Sequence, residues 1–187
     1  MANAEDILKK AGVIRYGHFL LASGLHSPVY WEKFQVLQYP EYTEALCHMI
    51  ATQYRDQKVE VVAGPTTGGV ILAYEVARQL KVRGIFAEKT PTGARAFRRG
   101  FTIGPGERVL IVDDIMTTGG SLNETIDAVK KLRGSIVGIG ILVDRSEKKN
   151  EFGVPLFSCH KADELTYKPE SCPLCKGGKP LVKPGGS

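Results

Sequence analysis

The stretch Val109-Leu110-Ile111-Val112-Asp113-Asp114-Ile115-Met116-Thr117-Thr118-Gly119-Gly120-Ser121 decides the fold. Its apolar run has the length and branching of a buried strand, and it delivers two adjacent acids at its end. Open α/β sheets hold their ligands at the carboxyl ends of such strands. The hydroxyls and glycines that follow lead into a helix read over Leu122–Leu132. Free N–H groups at that helix start, with the helix dipole behind them, suit an anion. The glycines let backbone approach a phosphate, and Thr117, Thr118 and Ser121 add donors. Asp113 and Asp114 can accept hydrogen bonds from sugar hydroxyls, so the segment suits a ribose bearing a phosphate. Two competing phosphate motifs, G-x-x-x-x-G-K-[ST] and a G-x-G-x-x-G after a strand, are absent.

Working outward, strands and helices alternate. Val59–Ala63 reads as a buried strand, Val70–Leu80 as a helix, Gly84–Ala87 as a second strand and Ile136–Val143 as an apolar strand covered on both faces. Ala4–Ala11 reads as a short helix stopped by Gly12, and Tyr42 to Ile50 as a helix after Pro40. Phe19–Leu37 reads as strands joined by loops, and Glu88–Gly106 as a long exposed segment without apolar period. This order predicts an α/β fold with a mostly parallel central sheet flanked by helices, in a single domain over residues 1–187.

Composition agrees. The chain has 187 residues, 43% hydrophobic and 24% charged, an ordinary globular mixture that needs no disulfide staples. No apolar stretch approaches the roughly 20 residues of a spanning helix, and the acidic start is unlike a secretory signal. The expectation is a cytoplasmic protein with no membrane partner. The net charge of +5 invites a nucleic-acid reading. However, Lys176, Lys179 and Lys183 sit in a tail without acids, leaving the rest near neutral, so no nucleic-acid partner is expected.

Among the four cysteines, Cys47 falls in a helical pattern and reads as a core residue. Cys172 and Cys175 have C-x-x-C spacing, with Cys159 and His160 upstream. They are either reduced thiols closing a turn or candidate ligands of a structural zinc. Adjacent residues on a strand point apart, which argues against Cys159 and His160 both joining such a site. His18 and His26 read as loop histidines, solvated or satisfied locally.

The Asp113–Ser121 segment closely resembles the phosphoribosyl pyrophosphate signature of type I phosphoribosyltransferases. The resemblance implies that Asp113 and Asp114 hold the ribose hydroxyls, and that Met116, Thr117, Thr118, Gly119, Gly120 and Ser121 cradle the 5′-phosphate. The rest of the chain, to about Pro155, is most similar to the orotate phosphoribosyltransferases in that family. Phe19–Tyr30 resembles their N-terminal segment, and Gly64-Pro65-Thr66-Thr67-Gly68-Gly69 their pyrophosphate loop, implying roles for Thr66, Thr67, Gly68 and Gly69. Val143-Asp144-Arg145 resembles the strand end that contacts the base, so Ser23, Tyr30 and Arg145 are the implied orotate residues.

The resemblance further implies a small N-terminal hood (residues 1–40), a C-terminal extension (156–187), Mg²⁺ brought with the substrate, and a homodimer. It implies transfer of ribose 5-phosphate from phosphoribosyl pyrophosphate to orotate. Phe86–Lys89 leads into the family's mobile catalytic loop, making Lys89 and Arg95 catalytic candidates beside Asp113 and Asp114. Three positions depart from the pattern. Ala22 and Gly68 stand where lysines are usual, and Thr90–Gly100 has neither the loop lysine nor the histidine, offering Arg95, Arg98 and Arg99. The first two leave open another acceptor such as a purine; the third leaves open a non-catalytic sensor of phosphoribosyl pyrophosphate.

Overall fold

The structure, a computed structural model, describes residues 3–21, 23–32, 34–146, 151–162 and 165–184. Ala22, one of the three departures, lies outside the described residues. Helix α1 (Ala4–Lys10) starts where the Asn3 side chain accepts from the Asp6 N–H at 2.8 Å. It buries Ala4, Ile7 and Leu8 in the main apolar cluster. Strands β1 (Ile14–Leu20) and β2 (His26–Trp31) form a separate antiparallel hairpin. Helices α2 (Phe34–Leu37) and α3 (Pro40–Tyr54) follow. The remaining elements are β3 (Val61–Pro65), α4 (Gly68–Leu80), β4 (Arg83–Lys89), β5 (Arg95–Phe97), β6 (Arg108–Met116), α5 (Gly120–Lys131), β7 (Ser135–Asp144), β8 (Leu156–Lys161) and α6 (Pro173–Lys176).

The central sheet has the order β5-β4-β3-β6-β7-β8, parallel throughout except for β5 on the edge. Its strands alternate with period two between two apolar layers. Val62, Leu110 and Val112 pack with α3 and α4, whereas Val61, Ala63, Val109 and Ile111 pack with α5. Two β7 glycines make room for α3. A Cβ on Gly138 would collide with the Tyr54 ring, and one on Gly140 with Ile50. Tyr54 uses the close approach to donate its hydroxyl to the Ile139 carbonyl at 2.8 Å.

Strand order reverses between β3 and β6. From β3 the chain crosses through α4 to β4 on one side, and from β6 through α5 to β7 on the other. The carboxyl ends of β3 and β6 therefore flank a topological switch point, the crevice where such sheets bind ligands.

Four expectations need correction. Residues 34–37, read among strands, form α2. Residues 88–106 are not simply exposed: a turn closed by Thr90 N–H to the Ala94 carbonyl (2.8 Å) leads into β5, and Arg95 there is buried. Residues 156–161, read as part of a C-terminal extension, add β8 to the sheet. His18 and His26 lie in strands, not loops, and both are buried.

Candidate active site

Strand β6 brings Asp113 and Asp114 to the switch point, where they are only 7% and 2% exposed. The Asp113 carboxylate accepts from the Asp114 N–H at 2.9 Å, and Asp114 accepts from the Ile115 N–H at 2.6 Å. Thr117 and Thr118 are exposed in the loop that follows. Gly119, at φ +77°, turns the chain into α5 with the left-handed geometry that suits glycine. No side chain caps α5, and no acid stands in its first turn, so its leading N–H groups face the loop unopposed.

The loop after β3 presents a second helix start of the same kind. Thr66 donates its N–H to the Ala87 carbonyl at 3.0 Å, the Thr66–Thr67 peptide is cis, and α4 begins at Gly68. This helix, too, has no side-chain cap and no acid in its first turn. Gly68 is the point of contact between the two loops. A Cβ there would run into the Asp114 carboxylate, and a Cβ on Gly64 would run into the Gly69 carbonyl. Gly68, which departs from the family pattern, thus matches the close approach of Asp114.

Arg95 locks this arrangement. Its Nη1 donates to Thr66 Oγ1 (3.2 Å) and the Ala87 carbonyl (3.2 Å). Its Nη2 donates to the Thr66 carbonyl (3.3 Å) and Ser121 Oγ (3.1 Å), and its Nε lies 3.3 Å from Glu124 Oε2. One buried guanidinium therefore spans the β3–α4 loop, β4 and the first turns of α5, as a rigid planar fork can and a lysine cannot. Sequence reading did not single out Glu124. The available signal was its place three residues after Ser121, the spacing of a helix-start pair.

The other candidates are placed differently. Lys89 is exposed at the end of β4, paired in register with Arg95. The Arg145 N–H bonds the Met116 carbonyl at 2.8 Å, which fixes the end of β7 beside the end of β6. Next to it, burial alone would raise the Asp144 carboxyl, but hydrogen bonds from Ser146 and the Lys161 ammonium at 3.0 Å bring it below its ordinary value. Ser23 and Tyr30 belong to the hairpin segment: Ser23 is exposed in its turn, and the Tyr30 ring leans on Phe19 at 5.6 Å. Trp31 is buried against His160 at 5.7 Å. The structure thus brings together Asp113, Asp114, the 116–121 loop, the 66–69 loop and Arg95.

Comparison with known proteins agrees with this geometry. The model of the phosphoribosyl transferase domain matches residues 35–161. Orotate phosphoribosyltransferase of Caldanaerobacter subterraneus subsp. tengcongensis is 50% identical over 96% of this chain and 94% of its own. That of Thermotoga maritima is 45% identical over 97% of this chain and 96% of its own. Among solved structures, orotate phosphoribosyltransferase from Aeropyrum pernix superposes with a TM-score of 0.72 at 26% identity, covering 84% of this chain and 92% of that one. An adenine phosphoribosyltransferase from Thermoanaerobacter pseudethanolicus shares the fold, with a TM-score of 0.62 at 21% identity over 72% of this chain and 88% of its own. With its matched domain spanning both loops at the switch point and its relatives matched nearly end to end, the chain belongs to the phosphoribosyl transferase domain family, among the orotate phosphoribosyltransferases.

Proposed function

We propose that the switch-point site binds phosphoribosyl pyrophosphate and transfers its ribose 5-phosphate to a ring nitrogen of orotate. The bond from the sugar's anomeric carbon to pyrophosphate breaks and its electron pair leaves with the pyrophosphate. The nitrogen loses its proton and bonds that carbon, giving orotidine 5′-phosphate. The observation that carries this reading is the pair of uncapped helix starts, α4 and α5, set around two buried carboxylates and tied by Arg95. Two positive helix ends suit a substrate with a phosphate at one end and a pyrophosphate at the other. Residues 116–121 hold the 5′-phosphate, and Thr66–Gly69 the pyrophosphate.

Asp113 and Asp114 orient the ribose hydroxyls and stabilise positive charge building on the sugar. Arg95, whose two terminal nitrogens donate within the protein, acts as a positioning residue between the loops. Lys89 stands at the front of the pyrophosphate path as an exposed cation. Ser23, Tyr30 and Arg145 are the base side of the site. The carboxylates are hard oxygen donors of the kind Mg²⁺ accepts, so Asp113 and Asp114 fit beside a magnesium–pyrophosphate substrate. Bound there, magnesium supplies neutralisation of the leaving group.

The same reading takes the chain as one domain over 1–187, cytoplasmic, with two copies forming the working enzyme. Among the described residues no helix is long and apolar enough to cross a membrane. Exposed Ile71 and Tyr74 on α4 offer apolar surface to a second copy. An absorbance assay with phosphoribosyl pyrophosphate, Mg²⁺ and orotate, beside purines and uracil, tests the function. Magnesium-dependent loss of the orotate band with equimolar pyrophosphate is expected. Consumption of another base instead would move the acceptor, and tight binding without any turnover would overturn the catalytic reading.

A further inference from the structure

The hairpin β1–β2 and the C-terminal strap, residues 165–184, meet at a cluster that the transfer reaction does not use. Two imidazoles come from the hairpin, His18 on β1 and His26 on β2, and two thiols from the strap, Cys172 and Cys175. One ligand atom from each of the four lies within 4.8 Å of every other. We propose that these four residues bind one structural zinc ion, which staples the strap onto the hairpin.

The distances come within about 0.4 Å of a tetrahedron's edges. With Zn–N of about 2.0–2.1 Å and Zn–S of about 2.3 Å, the N–N edge is about 3.4 Å and the N–S edge about 3.6 Å. His18 Nε2 lies 3.0 Å from His26 Nδ1, 3.5 Å from Cys172 Sγ and 3.8 Å from Cys175 Sγ. Cys175 Sγ lies 3.4 Å from His26 Nδ1. The two rings cross at 65° and do not stack. Two nitrogens and two sulfurs in this geometry select zinc among common divalent ions.

Hydrogen bonding alone does not account for the cluster. His18 Nδ1 lies 2.8 Å from the Lys179 carbonyl, which can only accept, so this nitrogen carries the proton. The neutral ring then has a single lone pair, on Nε2, with three polar atoms around it. One cation at their centre satisfies all of them. The Nδ1–H to carbonyl bond is also what orients a metal-binding histidine and sets its tautomer.

The strap needs such an anchor. It touches the hairpin through backbone bonds, Leu20 N–H to the Val182 carbonyl (2.9 Å), Val182 N–H to the His18 carbonyl (2.8 Å) and a mutual pair between His26 and Tyr167 (2.8 Å each). Yet Leu165, Leu181 and Val182 are 66%, 45% and 51% exposed, and among the described residues none beyond 162 belongs to either apolar cluster. Cys172 is the strap's buried residue among those described. A segment that buries so little apolar surface is the kind a structural metal holds.

Cys159 and His160, which the sequence argued against as joint ligands, are engaged elsewhere. Cys159 donates its thiol to the Leu46 carbonyl on α3, and His160 packs on Trp31. Binding converts two thiols to thiolates and releases two protons, without redox change.

The test is elemental analysis of the full chain purified without chelator from zinc-supplemented cells. About one zinc per chain is expected. Cys172→Ser/Cys175→Ser should lose it, whereas Cys159→Ser should keep it. Because the double variant can misfold, wild-type protein is also exchanged with cobalt. Intense visible bands of tetrahedral cobalt, with a near-ultraviolet thiolate band, are expected. Chelation should speed amide exchange at Leu20, His26, Tyr167 and Val182 at least tenfold while β3 and β6 stay protected. Zinc retained in the double variant, or wild-type protein without zinc and without the cobalt spectrum, overturns the assignment.

Discussion

Around β3 and β6, side chains such as Val62, Leu110 and Ile111 are fully buried, each strand face covered by a helix layer. Around the β1–β2 hairpin, the C-terminal strap leaves Leu165, Leu181 and Val182 largely in solvent and converges instead on the buried His18, His26 and Cys172. The first region is held by apolar area, with about 1.5–3 kcal/mol for each fully buried aliphatic side chain. The second is held by a few directed contacts. The difference suits a division of labour. In the proposed function, a rigid sheet would present the loops to a sugar phosphate, and a separately anchored hood would carry Ser23 and Tyr30 toward the base.

That division can be broken most sharply at the acids. Asp114→Asn should lower kcat/KM by about 10³-fold, since the charge opposite the developing sugar cation is lost. Its melting temperature should move little, and a calorimetric scan beside the kinetics separates the two effects. Arg95→Ala should cost about 10²-fold in turnover by letting the 66–69 and 116–121 loops separate. Arg95→Lys should not restore the rate, because a single ammonium cannot span Thr66, Ala87, Ser121 and Glu124.

On the hood side, loss of the His18–Cys175 cluster should raise the orotate KM several-fold and leave the phosphoribosyl pyrophosphate KM within about twofold, as independent regions require. Parallel loss of both would show the regions to be coupled. Within the sheet, Gly140→Ala should destabilise by about 1–3 kcal/mol, because its Cβ meets Ile50 in a filled layer. Denaturant midpoints measure this. The smallest effect is at Asp144, whose carboxyl is held below its ordinary value with Lys161 and Ser146. Its stabilising contribution is present at neutral pH and disappears as pH falls through the folded-state value, which lies below that of an ordinary aspartate. Asp144→Asn should flatten that acid limb of the stability curve.

The two regions also differ in how far sequence alone exposes them. The Val109–Ser121 segment announces its strand by an apolar run and its ligand by residue types, all within thirteen consecutive positions. The β7 strand is equally plain, although why Gly138 and Gly140 interrupt it appears only once α3 packs on them. Three-residue β5 has no period to detect amid arginines and glycines, and the burial of Arg95 follows from partners on three other elements. The His18, His26, Cys172, Cys175 cluster is the extreme case. Its halves are about 150 residues apart, and nothing near the C-x-x-C in sequence points to His18 or His26 as its partners. Local chemistry is written locally, whereas a site assembled by the chain's return is visible only in the fold.

Titration of phosphoribosyl pyrophosphate with Mg²⁺ into the wild-type chain and into Asp113→Asn/Asp114→Asn tests the assignment of the switch point most directly. The account predicts saturable binding by the wild type, and binding weakened at least tenfold in a double variant that melts at a similar temperature. Undiminished binding by that folded variant would place the sugar phosphate elsewhere and contradict the account.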